Sequence, residues 1–245
     1  MESFLARPGK SFVETYFRFE DSLKDDVIFG VDQEFIEGVE KPLYVKGGDW
    51  MAVIGLQRTG TVWVSCGTES THKGIPSNDR NWKILSLGQA LRPGTWYRMK
   101  CTVDFSTRHF SKLEVDGPGL SKTFDLSAYT VDYPNYMPFD KPTMSYYVFS
   151  MRSRSMMRER GKPLVYFDDM KGGVVEPSGE TVVFASDFEK QSTLLDQPVT
   201  LPVIKLQNYK EGVLYLERKE SRFRIETLKE ARSGSHVGVA DADLD

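Results

Sequence analysis

A chain of 245 residues with 40% hydrophobic and 27% charged residues can bury one sizeable core, and its formal net charge of -3 supplies no basic field for nucleic acid. No run approaches the roughly 18 consecutive apolar residues of a membrane-spanning helix, and the opening MESFLARPGKSF lacks an apolar signal core, so no export signal is visible. Cys66 and Cys101 have no CxxC spacing and give no zinc site; two buried thiols, or one disulfide between them, both fit.

In chain order, Ser11–Glu20 alternates: Val13, Thr15, Phe17 and Phe19 fall on one side, and Phe12, Glu14, Tyr16, Arg18 and Glu20 on the other. That period of two predicts a half-buried strand. Val27–Ile36 repeats it, with Val27, Phe29, Val31 and Phe35 opposite Asp32 and Glu34. Gly47-Gly48-Asp49 predicts a turn. Trp50–Gln57, apolar on both faces, reads as a central strand joined by the Arg58-Thr59-Gly60 hairpin to Thr61–Cys66. Gly67–Asn81 is polar, turn-rich and carries His72, which predicts a surface loop long enough to border a binding site. Trp82–Leu87 is short and mixed. Trp96–Phe105 and His109–Val115 are alternating strands around Ser106-Thr107-Arg108, with Tyr97, Met99, Cys101, Val103 and Phe105 inward. Ser127–Pro142 reads as an ordered aromatic loop. Met144–Arg154 is a strand with Tyr147, Phe149 and Met151 on the core side and Tyr146, Ser150, Arg152 and Arg154 opposite, and a basic loop to Lys162 follows.

The stretch Gly161–Glu189 holds two short apolar strands, Leu164–Phe167 and Thr181–Phe184. Each runs into an acidic corner: Asp168-Asp169, and Asp187 with Glu189. Between them, Gly172-Gly173 to Pro177-Ser178-Gly179 predicts a turn-rich link. Val203–Gln207, Gly212–Glu217 and Phe223–Thr227 read as strands, although Glu220–Arg232 also fits one short helix. Gly234–Val239 is a last strand before an acidic tail. About ten to a dozen strands punctuated by Gly and Pro, without strand–helix alternation, predict an all-β, two-sheet antiparallel sandwich of jelly-roll type.

The pairing of TWYRMKCTVDFSTRHFSKLEVDG (Thr95–Gly117) with LVYFDDMKGG resembles the concanavalin A-like lectin/glucanase superfamily, including laminin-G-like modules and jelly-roll polysaccharide lyases. In such domains the first motif is a late hairpin and the "FDD" strand closes the fold. VVFASDFE (Val182–Glu189) resembles the strand that opens it, and GVLYLERKE and GSHVGVADADL resemble early strands. The resemblance therefore implies a single domain over 1–245 in circularly permuted order, with 178–245 supplying the early strands and 1–177 the later ones. The alternative is a complete sandwich at 1–177 with an extra sheet or partial second domain. It also implies a structural calcium between first and last strands, with Asp168, Asp169, Asp187 and Glu189 as oxygen ligands. Otherwise the same acids cap turns and bond backbone amides. A polysaccharide or glycan partner and an extracellular or periplasmic location are implied in the same way.

Carbohydrate sites on such sandwiches combine aromatic platforms with polar side chains on one sheet face. The candidates are Tyr16, Arg18, Trp63, Trp82, Tyr146 and Arg152, and the two guanidinium groups favour a carboxylated or sulfated glycan. Each Trp equally reads as sheet packing, and each Arg as a solvated strand face. Glycoside hydrolysis needs two carboxylates about 5–9 Å apart; Asp32 and Glu34 satisfy this, although the E-x-D-x-x-E pattern is absent. A lyase needs a base, for which Tyr146, Tyr16 or His109 near Arg18 or Arg152 are candidates, but no Q-[IV]-H strand occurs. His72, His109 and His236 are scattered, and no phosphate loop or nucleophile elbow is present. The expected function is a carbohydrate-binding sandwich module, with a polysaccharide lyase or glycoside hydrolase on the same face, or a structural module without ligand, as alternatives.

Overall fold

A computed structural model describes residues 9–36, 48–66, 72–73, 81–131, 135–136, 144–153, 164–189 and 221–242. Every regular element among them is a strand. In chain order these are β1 Lys10–Phe19, β2 Val27–Ile36, β3 Gly48–Leu56, β4 Thr61–Ser65, β5 His72–Lys73, β6 Asn81–Ser86, β7 Tyr97–Asp104 and β8 His109–Gly117. There follow β9 Leu120–Asp125, β10 Asn135–Tyr136, β11 Met144–Ser153, β12 Leu164–Glu176, β13 Gly179–Ser186, β14 Ser221–Thr227 and β15 His236–Ala242. No helix is long and apolar enough to cross a membrane among the described residues.

The strands form two antiparallel sheets. The first has the order β14-β15-β12-β1-β7-β8-β9 with β13 also on β12; the second has the order β11-β2-β3-β4-β6-β5 with β10 on β3. The core lies between them. Val13, Phe17 and Phe19 of β1 and Tyr97, Met99, Cys101 and Val103 of β7 meet Phe29, Val31 and Phe35 of β2 and Ile54 and Leu56 of β3. The Phe17 and Phe29 rings contact across the layers at 5.2 Å. The alternation read from the sequence thus sets which side of each strand is apolar, and burial of those sides brings the sheets together. This is the expected all-β, two-sheet antiparallel sandwich.

Several local expectations change. Gly48 and Asp49 open β3 and pair with β10. β9 is a strand although only Leu120 and Phe124 are withdrawn from solvent, so it carries no alternating apolar signal. Ser221–Thr227 is strand, paired along its length with β15. Val203–Gln207 and Gly212–Glu217 lie outside the described residues, as does most of the aromatic loop after Val131. Both cysteines are buried thiols, and no disulfide joins them. Burial pushes the Cys101 thiol far above its usual range.

The largest change concerns Gly161–Glu189. β12 does not stop at Asp168 but runs on to Glu176. Tyr16 faces Asp168 while Glu14 faces Lys171, so Asp168-Asp169 sits at a bulge, and Asp169 has φ 45. Gly172 and Gly173 are strand interior, flanked by β1 on one edge and β13 on the other. A Cβ at Gly173 would run into the Thr181 carbonyl, so this close approach requires glycine. The turn comes only at Pro177-Ser178. One edge of β12 carries two partners in succession: β15 along Leu164–Phe167, then β13 along Met170–Glu176. Leu164–Phe167 and Val182–Phe184 are therefore not paired with each other. Phe17 of β1 and Gly238 of β15 flank Phe167 from opposite sides, which places Ser11–Phe19 and Val237–Val239 in one sheet.

Candidate functional site

The parity of β2 has a chemical consequence. Phe29, Val31, Gln33 and Phe35 point into the core, so Ile28, Gly30, Asp32 and Glu34 lie on the outer face of the second sheet. Asp32 and Glu34 are 2% and 7% exposed. In register, Glu34 stands between Met51 and Tyr146, Asp32 between Val53 and Val148, and Ile28 is opposite Arg152. Farther across the same sheet, Gly55 is opposite Trp63, Ser65 is opposite Trp82, and Trp82 is opposite His72. Alternate residues of one strand are about 7 Å apart, within the window for two carboxylates dividing acid and base roles on a glycosidic bond. Asp32 and Glu34 are such a pair.

Trp63 and Trp82 are each 1% exposed and meet edge to face with centroids 6.1 Å apart. With Ile28 and Val53 they form an apolar patch on this outer face, and Trp63 Nε1 donates to Gln57 Oε1 at 2.9 Å. They build the floor beside the carboxylates and are not open stacking platforms.

The six candidate sugar ligands do not share one site. Tyr16 and Arg18 project from the outer face of the first sheet, on the far side of the sandwich from Trp63 and Trp82. Tyr146 and Arg152, described by backbone alone, belong to β11 of the second sheet. Alternation assigns a residue to a side of its strand, and only nonlocal pairing assigns the strand to a sheet. Arg18 pairs with Glu20 at 3.3 Å and lies 5.5 Å over the Tyr166 ring. Burial, then the adjacent Glu20, pushes the Tyr166 hydroxyl up to about 12. The Tyr16 ring is covered by the Arg232 guanidinium at 4.5 Å. Beside them, Glu14 takes Lys171 at 2.9 Å and Arg98 at 3.1 Å, and Lys100 meets Glu180 at 2.6 Å. This face neutralises itself. His109 pairs with Asp104, at the opposite end of β7 from the Tyr97 end where Arg18 lies, so it does not join Arg18 in a lyase-type pair.

The four acids expected around calcium serve a different end. Asp168 is fully buried: its Oδ1 accepts the Asp169 N–H at 2.8 Å, and its Oδ2 accepts the N–H groups of Arg232 and Ser233 at 2.9 and 3.1 Å. Asp169 accepts the Ser233 hydroxyl at 2.6 Å. Glu189 Oε1 accepts the N–H groups of Ser235 and His236, both at 2.6 Å, and its Oε2 lies 3.1 Å from His236 Nδ1. Asp187 accepts the Glu189 N–H at 3.2 Å. Among the described residues no three carboxylate, imidazole or thiol groups converge as a metal ligand set. Backbone amides occupy both oxygens of Asp168 and one of Glu189, which were expected to face a cation. Asp168 and Glu189 thus follow the alternative reading, in which the acids bond backbone amides; the segment that supplies most of those amides was not identified, because its donors are main-chain groups marked only by the small run Ser233-Gly234-Ser235.

No protein-family model matches the sequence, and no curated protein matches it. Solved structures similar to the chain include an alginate lyase from Pseudomonas aeruginosa, at 10% identity and TM-score 0.28 over 62% of this chain and 68% of that one. An alginate lyase from a Chlorella virus is similar at 13% identity and TM-score 0.29 over 60% and 72%. An endo-1,3-beta-glucanase from Streptomyces sioyaensis is similar at 12% identity and TM-score 0.23 over 62% and 66%.

Proposed function

We propose that the protein is a carbohydrate-binding β-sandwich whose binding surface is the outer face of the second sheet, and that it takes a neutral polysaccharide. The observation that supports this most is the placement of Asp32 and Glu34 side by side on one central strand, sheltered from water against the Trp63–Trp82 floor. Carboxylates held this way accept hydroxyl donors strongly, because hydrogen bonds gain strength where water is excluded. Two acids on the face repel a polyuronate, and of the two arginines that favoured an acidic glycan Arg18 sits on the other sheet, while Arg152 belongs to β11 of this one. The glycan approaches from the side of Ile84, opposite Trp63 in register and 37% exposed. The second reading, a glycoside hydrolase, follows from the same pair at its glycosidase-compatible spacing.

A glycan array run with the wild type, Asp32→Asn and Glu34→Gln tests both. Binding of a neutral glycan, weakened at least tenfold by either substitution and without release of reducing ends, supports the binding module. Reducing ends lost in both variants support the hydrolase. Binding confined to uronates, with products absorbing at 235 nm, overturns the neutral-glycan reading. Silence on all glycans makes the sandwich a structural one.

A further inference from the structure

We propose that residues 228–235, the connection between β14 and β15, form a releasable strap over an aromatic patch on the outer face of the first sheet. The patch comprises Tyr16, Trp96 and Tyr166. Trp96 Nε1 donates to the Glu230 carbonyl oxygen at 2.6 Å, Arg232 lies over Tyr16, and Leu228 and Ala231 pack with Tyr166, Val237 and Val239. This small cluster is separate from the main core between the sheets.

The strap is fastened by side chains outside it. Asp168 holds Arg232 and Ser233, Asp169 holds the Ser233 hydroxyl, and Glu189 holds Ser235 and His236. Gly234, at φ 55, turns between the two receptors, and a Cβ there would strike the Glu189 carboxyl. Behind the strap, β15 joins the sheet through only the four pairs Leu164↔Asp241 to Phe167↔Gly238.

Such a unit opens at lower energy than the sheet beneath it. Lifting it exposes a satellite cluster and leaves the main core closed. The carboxylates exchange amide donors for water, so no charge is left buried and unpaired. These are the features of a local unfolding unit. Opening uncovers Tyr16 and Trp96 with the Arg18–Glu20 ion pair beside them, an aromatic surface on the opposite side from the Asp32–Glu34 face. The strap is thus an internal cover for a second, latent surface.

Hydrogen exchange on the full chain tests this, comparing wild type, Gly234→Ala and Asp168→Asn. The first variant drives a methyl group into Glu189; the second replaces one acceptor oxygen with an amide that confronts N–H donors. The expected result is exchange of the β14 and β15 amides at least tenfold faster in both variants, with β1 and β7 amides unchanged. Acrylamide quenching of tryptophan fluorescence should rise in Gly234→Ala and lose that rise when Trp96→Phe is added. Exchange of β15 in step with β1 and β7 in all three proteins overturns the proposal. So does uniform loss of protection in both variants, or no change in β14 and β15 in either.

Discussion

Gln33 on β2 crosses the core and donates its side-chain amide to the Cys101 carbonyl oxygen on β7 at 3.0 Å, while its own oxygen accepts the Ser11 hydroxyl at 2.7 Å. This buried bridge ties the two sheets together at the residue between Asp32 and Glu34. A slip of one residue would turn both acids into the core, and the bridge opposes that slip. Gln33→Met keeps the volume and removes both hydrogen bonds. It should destabilise the fold by about 1–3 kcal/mol, read as a Tm several degrees lower in thermal unfolding. An unchanged Tm would mean that the bridge adds nothing to the packing around it.

Glu14 gives a pH-dependent prediction. Its carboxylate is nearly buried; burial pushes its pKa up, but hydrogen bonds from Lys171 and Arg98 outweigh that and hold it below its usual value. The folded pKa is depressed, so its contribution is present above the usual carboxylate value and is lost as pH falls through the lowered one. Glu14→Gln should cost about 1–3 kcal/mol at neutral pH by removing the charge that strengthens the hydrogen bonds from Lys171 and Arg98. The gap between variant and wild type should close in acid. Denaturant unfolding at pH 7 and pH 3 measures it, and a gap of equal size at both would refute the charge-based account.

The sidedness of single strands is legible in the sequence because it depends only on parity. Val13, Phe17 and Phe19 against Glu14, Tyr16 and Arg18 are sorted by counting. The sheet to which a strand belongs is not legible, because β1 pairs with β12, and Thr15 Oγ1 reaches the Asp168 carbonyl 153 residues away. Hence Tyr16 and Arg18 were grouped with Trp63 and Trp82 across a core that separates them. The Asp-Asp and Gly-Gly pairs of β12 read as a strand end and a turn. They are a bulge and a close backbone contact, two ways for a long strand to keep pairing where its geometry changes. Asp32 and Glu34 were visible as a pair, but their burial depends on strands distant in sequence.

Calcium should have no effect on stability. A cation at the acidic corners would have to displace five main-chain N–H groups, those of Asp169, Arg232, Ser233, Ser235 and His236, from Asp168 and Glu189. A ligand present at a hundred times its Kd would add about 2.7 kcal/mol, several degrees of Tm. Melting curves in excess calcium and in EDTA should instead coincide within about 1 °C. A separation of several degrees would show that the amides yield to a metal.

The two receptors of the strap respond to pH in opposite directions. Burial, aided by the neighbouring Asp169 charge and opposed by the amides of Ser233, Asp169 and Arg232, raises Asp168 to about 6. The docked state therefore holds this proton more tightly than the released state, whose carboxyl is near 3.8. Its contribution favours docking in acid and is lost as pH rises through about 6. Glu189 runs the other way: hydrogen bonds from His236 and Ser235 lower it to about 2 from 4.5, so its contribution is present above 4.5 and fades as pH falls toward 2. Glu189 contributes fully only above about 4.5 and Asp168 only below about 3.8, so the sum is largest between about 3.8 and about 4.5. Protection of β15 amides relative to β1 amides, corrected for intrinsic exchange, should peak in that window and decline on both sides. Glu189→Gln should remove the acid-side decline and Asp168→Asn the alkaline-side one. A ratio that stays flat from pH 3 to pH 8 would sink the assignment of both carboxylates as the fasteners of the strap.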